Sequence, residues 1–154
     1  MAHVPKNPAI PMRGGVSPSC LALPQMRQPP WPTLLDYLAQ RLPRIPRALW
    51  QQRLADGLVC AEDGRALAPN SPYLGGSRIY YWRDLPDEPP IPFEATVLHR
   101  CAHLVVADKP HFLPVTPGGR YVQQTLLVRL KQQLGLPDLS PLHRLDRETA
   151  GLDR

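Results

Sequence analysis

The chain has 154 residues, a length that bounds it to one domain or two small ones. Its 21 prolines lie far above the average share of about 5% and exclude long regular elements outside a few windows. A formal net charge of +5 suits nucleic acid or another anionic surface without selecting between them.

Residues 1–30 hold Pro5, Pro8, Pro11, Pro18, Pro24, Pro29 and Pro30 with a Gly14-Gly15 pair and little periodicity, which predicts a disordered, solvated arm. Lys6, Arg13 and Arg27 are its cations. Order is expected from Trp31. Thr33 with Asp36 three residues on forms an approximate capping box, and Leu34, Leu35, Leu38 and Leu42 follow at helical spacing until Pro43. A second helix is predicted from Pro46 through Leu49, Trp50 and Leu54 to Gly57 as its stop. Leu58-Val59-Cys60 reads as a strand, and Asp63-Gly64 as a tight turn. Between Ser77 and Trp82 the pattern alternates, with Ile79 and Tyr81 on one face and Arg78, Tyr80 and Trp82 on the other. Arg41, Arg44, Arg47 and Arg53 lie on or between the two helices and predict a basic face.

Residues 83–92 are acidic, proline-dense and without periodicity, so they are expected to be a semi-rigid linker at a domain boundary. Thr96–Arg100 and His103–Asp108 read as strands, the second a nearly continuous apolar run suited to a sheet interior. Thr125–Leu134 is an amphipathic helix stopped by Gly135. Near the end, Leu142 and Leu145 alternate with polar residues, as a strand would, and run into a charge-dense turn closed by Gly151. This places Asp146 at a strand end between Arg144 and Arg147, where positive charge favours the ionised carboxylate and can hold phosphate. The plain alternative is a surface ion pair worth about 0–1 kcal/mol.

Three scattered cysteines, Cys20, Cys60 and Cys101, lack C-x-x-C spacing, which excludes a zinc knuckle and points to a reducing cytoplasm. His99, His103, His111 and His143 show no paired helical ligand spacing and are expected to be structural, with no metal. No apolar run approaches the ~18 residues needed to span a membrane, and the start has no continuous apolar core of a signal peptide.

His143-Arg144-Leu145-Asp146-Arg147-Glu148-Thr149-Ala150-Gly151-Leu152 resembles the signature of the RluA-type pseudouridine synthases, His-Arg-Leu-Asp-x-x-Thr-Ser-Gly-Leu, and departs from it at Ala150. Asp108-Lys109-Pro110-His111-Phe112-Leu113-Pro114-Val115 resembles the family's Asp-Lys-Pro-x-Gly-Leu-x-Val, with His111 and Phe112 where other members often have Gly. Arg53-Leu54-x-x-Gly57-x-Val59 with Asp63-Gly64 is similar to the family's αL-type RNA-binding domain. The protein-kinase catalytic loop is a superficial lookalike, but Leu145 separates Arg144 from Asp146 and Gly151 stands where that loop needs Asn.

The resemblance implies an α+β chain. A small αL-type RNA-binding domain over residues 31–82 would precede an incomplete mixed α/β catalytic domain over residues 93–154. It implies Asp146 as the catalytic residue and RNA, ribosomal or transfer, as the partner of a monomer. Arg41, Arg44, Arg47, Arg53, His143, Arg144 and Arg147 would contact that RNA. Lys109, Thr149 and Gly151 would support the site, Thr149 by a side-chain hydrogen bond that fixes the turn. Turning uridine into pseudouridine breaks the N1–sugar bond and rejoins the base through C5, with no redox change, so no cofactor is implied. A carboxylate can act as nucleophile or base, and flipping the base out costs a few kcal/mol. On an extended backbone Arg144 and Asp146 point the same way, so Arg144 would hold a phosphate of the flipped nucleotide or fill the space it leaves. The likeness covers residues 31–152 and breaks off with the motif. The chain is therefore expected to be the N-terminal part of a synthase, inactive as it stands. A free-standing module that binds structured RNA and a non-catalytic regulator of a full-length paralogue are the competing expectations.

Overall fold

A computed structural model describes residues 7, 9–83 and 88–153, and these form three helices and two three-stranded antiparallel sheets. They divide into two units, one built from Ser17–Trp82 with the residues up to Pro11, the other from Met12–Val16 with the residues from Arg83 onward.

In the first unit, helix α1 (Leu34–Arg41) starts at a complete capping box. The Thr33 hydroxyl accepts the Asp36 N–H at 3.2 Å, and the Asp36 carboxylate accepts the Thr33 N–H at 3.2 Å. Arg47 adds an ion pair to Asp36 at 2.8 Å. Helix α2 (Arg47–Ala55) starts at Pro46 and ends before Gly57, whose φ of +68° reverses the chain at little steric cost. The sheet runs β1–β3–β2, with β1 Ser19–Ala22, β2 Val59–Ala61 and β3 Arg78–Tyr81. One face of β3 sets Ile79 and Tyr81 against Leu34, Leu38, Trp50 and Leu54 of the helices. The other buries Tyr80 and Trp82 with Ile10 and Cys60. The Asp63-Gly64 turn folds the chain back, so that Cys60 bridges Ala66.

The expected loose arm is corrected over its described residues. Ser19–Ala22 pairs with β3 in register from Ser19 opposite Tyr81 to Ala22 opposite Arg78, and Ile10, Val16 and Leu23 are buried. Pro18 and Pro24 flank that strand and remove no ladder donor from it. Tyr80 and Trp82 supply the apolar face that this segment covers. Pro5, Lys6 and Pro8 of the same expectation lie outside the described residues.

Thr33→Ala is expected to cost about 1 kcal/mol, read as a lower urea midpoint. The effect carries a pH signature. The Thr33 hydroxyl bond, then Arg47, holds the Asp36 carboxyl below its ordinary 3.8. The folded state therefore favours the ionised form. The contribution is fully present above 3.8 and is lost as pH falls through the lowered folded value. Wild type and Thr33→Ala should converge in strongly acidic urea titrations.

In the second unit β4 (Thr96–Arg100), β5 (Val105–Lys109) and β6 (Gly151–Asp153) form an antiparallel sheet in that order, with an irregularity between Val97 and His99. The apolar run is thus the central strand. Helix α3 (Leu126–Leu134) is capped by Thr125, whose hydroxyl accepts the Val128 N–H, and ends at Gly135 with φ +65°. Ala107, Leu113, Tyr121, Leu126 and Leu130 make the core together with Ile91.

Ile91 belongs to the expected linker, which is corrected over residues 88–92. The Glu88 carboxylate accepts the consecutive N–H groups of Val122, Gln123 and Gln124 at 2.8, 2.9 and 2.6 Å. Arg129 donates to the carbonyls of Ile91 and Phe93 at 2.6 Å. Three charge-assisted bonds just ahead of a helix start outweigh the freedom that prolines and acidic residues give in isolation. Residues 84–87 of that linker lie outside the described residues. No described helix is long and apolar enough to cross a membrane.

Candidate active site

Asp146 lies in an irregular, exposed stretch that precedes a strand, which corrects its expected place at a strand end. Leu142 is 74% exposed, so the apolar alternation before Asp146 is not that of a buried strand face. Arg147 and Glu148 form a turn closed by the Thr149 N–H, which donates to the Asp146 carbonyl at 3.0 Å. The backbone of Thr149 makes this closure, in place of the expected side-chain bond. Gly151 follows with φ +147°, a conformation that strains any other residue, and starts β6.

The register of β6 explains how two distant motifs meet. Gly151 pairs with Lys109, Leu152 with Asp108 and Asp153 with Ala107. Lys109 is fully buried, and its ammonium donates to the carbonyls of Leu113 at 2.8 Å, Pro110 at 3.0 Å and Arg147 at 3.4 Å. Burial pushes its pKa down from 10.5, while the charges of Asp153, Glu148 and Asp146 oppose that shift. His111 adds a second tie from Nδ1 to the Glu148 carbonyl at 2.7 Å, a contact that puts the proton on Nδ1. Next to it Phe112 has φ +65°, the one non-glycine residue with positive φ among those described. This is the position where the family often has Gly, and a Phe there costs about 1–2 kcal/mol.

Arg144 and His143 are exposed, and the His143 Nδ1 lies 3.6 Å from the buried Asp153 carboxylate. Arg147 is half-buried. Its guanidinium sits 5.8 Å from the Phe112 ring centre and 5.4 Å from that of Tyr121, and it pairs with Glu148 at 3.2 Å. Tyr121 accepts a hydrogen bond from Arg120 at 3.2 Å, the chief reason its pKa falls below 10.0. The sequence pattern does not reveal this basic-aromatic group. The signal available is the Gly118-Gly119 pair, a tight turn that leads into the exposed Arg120 and the buried Tyr121.

In the first unit Arg41, Arg44 and Arg47 are exposed. Arg53 is corrected as a member of that basic face: it is 6% exposed and stacks on Trp50 at 5.4 Å. Its place on the inner side of α2, one turn from Trp50 and beside Leu54, turns the guanidinium into the unit. Among the described residues no three His, Cys, Asp or Glu side chains lie together as metal ligands would.

Chemically, the second unit offers an exposed carboxylate on a braced turn, with the exposed Arg144 on one side and the ring-held Arg147 on the other. The family model of the RNA pseudouridylate synthases matches residues 103–152, which run from just before β5 through this turn. A Synechocystis protein named as an uncharacterized RNA pseudouridine synthase is 41% identical over 119 residues, covering 77% of this chain and 40% of that protein. RNA pseudouridine synthase 5 of Arabidopsis thaliana is 32% identical over 67% of this chain and 31% of its own length. Human pseudouridylate synthase RPUSD2 is 42% identical over 66 residues, 12% of its length. The chain therefore spans well under half the length of these relatives. With both motifs matched and joined in one braced turn, the chain belongs to the RNA pseudouridylate synthase family.

Proposed function

We propose that these residues are part of an enzyme that isomerises uridine to pseudouridine in ribosomal or transfer RNA, with Asp146 as the catalytic carboxylate. The observation that carries the reading is the brace under Asp146: Lys109 and His111 tie the loop after β5 to the Arg147–Glu148 turn. A braced turn holds a carboxylate in a fixed position, and fixed position is what a nucleophile or base needs. Arg144, exposed beside it, holds the phosphate of the flipped nucleotide or fills the space the base leaves. Arg147 supports the RNA backbone, and His143 lines the same approach.

The first unit is read as an αL-type RNA-binding domain working as a monomer in the cytoplasm. Its two short helices set Arg41, Arg44 and Arg47 toward solvent, where they meet phosphates of structured RNA by shape and charge. Asp146 is exposed and the chain covers 40% of the Synechocystis relative, so these residues alone are read as inactive. The same exposure favours a second reading, a non-catalytic module that binds structured RNA.

Both readings predict salt-sensitive binding. Affinity for a stem-loop RNA should fall steeply with salt, and replacing Arg41, Arg44 and Arg47 by Ala should flatten the log–log slope by about 2–3. A slope unchanged by the triple substitution would place the basic face elsewhere.

A further inference from the structure

Phe112 and Phe93 are 46% and 47% exposed, and their rings lie 6.2 Å apart. Arg147, directly after Asp146 in the chain, stands over Phe112, and both Arg147 and Arg120 lie near the Tyr121 ring, at 5.4 and 5.3 Å from its centre. Large half-exposed rings next to guanidiniums form a surface whose chemistry matches a nucleotide, with its flat base and charged phosphate. Phe112 stands out further, because it holds a left-handed backbone without gaining full burial for its ring. Strain at a residue whose side chain is not fully used by the core points to a role outside the core.

We infer that Phe112 and Phe93 form a stacking platform for an unpaired RNA base flanking the target nucleotide, with Arg147 and Arg120 placed for its phosphate. The inference rests on the RNA reading above. It adds a recognition element at a position where the family often has no side chain at all. Stacking tolerates any base, so the platform selects for unpaired structure beside the target and not for sequence.

Phe112→Gly isolates the ring, because Gly accepts the positive φ and leaves the backbone path intact. The probe is an eight-residue oligouridylate carrying one 5-iodouridine, titrated by fluorescence anisotropy and then photocrosslinked. Phe112→Gly should weaken binding about tenfold at every salt concentration, leave the salt slope unchanged, and lose a crosslink that maps to Phe112 in the wild type. Phe93→Ala should weaken binding in the same way, and it decides the question should Phe112→Gly melt early. Arg147→Ala should flatten the slope by about one. Wild-type affinity in both Phe variants overturns the platform, as does a chain that binds the stem-loop RNA but not the oligouridylate. Failure to bind either RNA overturns the platform and the RNA reading together.

Discussion

Lys109→Ala is expected to destabilise the second unit by roughly 3 kcal/mol and to free the turn that carries Asp146. The ammonium is fully buried and serves the carbonyls of Pro110, Leu113 and Arg147. Bonds from a charged donor contribute about 1.5–3 kcal/mol each, and carbonyls left unpaired in the interior add desolvation costs. The lost aliphatic stem leaves a cavity besides. Lys109→Met restores volume but no donor, so it should recover only part of the loss. Urea unfolding of the two variants measures this, and a loss under 1 kcal/mol in Lys109→Ala would show that the carbonyls find other partners. The buried lysine also has a pH signature of definite sign. Its folded pKa lies below 10.5, so the unfolded chain binds more protons in the window between the two values. There, wild-type stability relative to Lys109→Met should rise with pH.

Local chemistry made much of the fold legible. Thr33, Asp36, Gly57, Thr125 and Gly135 mark helix ends by hydrogen bonds and backbone angles that depend on near neighbours, and the structure places the ends there. The nearly continuous apolar run over His103–Asp108 likewise pointed to a sheet interior, and β5 is the central strand. Long-range pairing was not legible. Prolines dominate the pattern of residues 1–30, yet β1 forms because β3 presents a ladder edge that only the folded chain contains. The Glu88 anchor reads as linker charge until Val122–Gln124 turn three N–H groups toward it. Arg53 shows the limit of counting charges, since its side of the helix, and not its type, decides that it faces Trp50.

At the site the motif identified Asp146 but not its setting. Leu142 and Leu145 stand three residues apart, which does not match the two-residue period of a strand face, and strand pairing begins only at Gly151, in register with Lys109. Lys109 stood out as part of a motif, but its burial was not legible. A lysine in an apolar interior becomes reasonable only when three carbonyls converge on its ammonium, and while Pro110 and Leu113 follow it closely, Arg147 comes from 38 residues away.

Asp146→Asn is expected to have the largest effect of all on turnover. The substitution keeps the shape of the side chain and removes the charge that would act as nucleophile or base, a loss of about 10²–10⁴-fold for a group in proton transfer and more for a nucleophile. Because Asp146 is exposed, the same change should leave stability within about 0.5 kcal/mol of wild type, so lost activity cannot be assigned to unfolding. The geometry needed for reaction depends on water exclusion and on parts that stack the uracil. Small misplacements cost orders of magnitude, and an exposed turn supplies neither.

The decisive measurement is tritium release from RNA containing 5-tritiated uridine, made with this chain, with a version extended by the part of the Synechocystis relative that lies beyond the match, and with Asp146→Asn in the extended form. Release should come from the extended protein alone and vanish with Asp146→Asn. An active extended Asp146→Asn variant would contradict the catalytic assignment, and robust turnover by the 154-residue chain would contradict its reading as inactive alone.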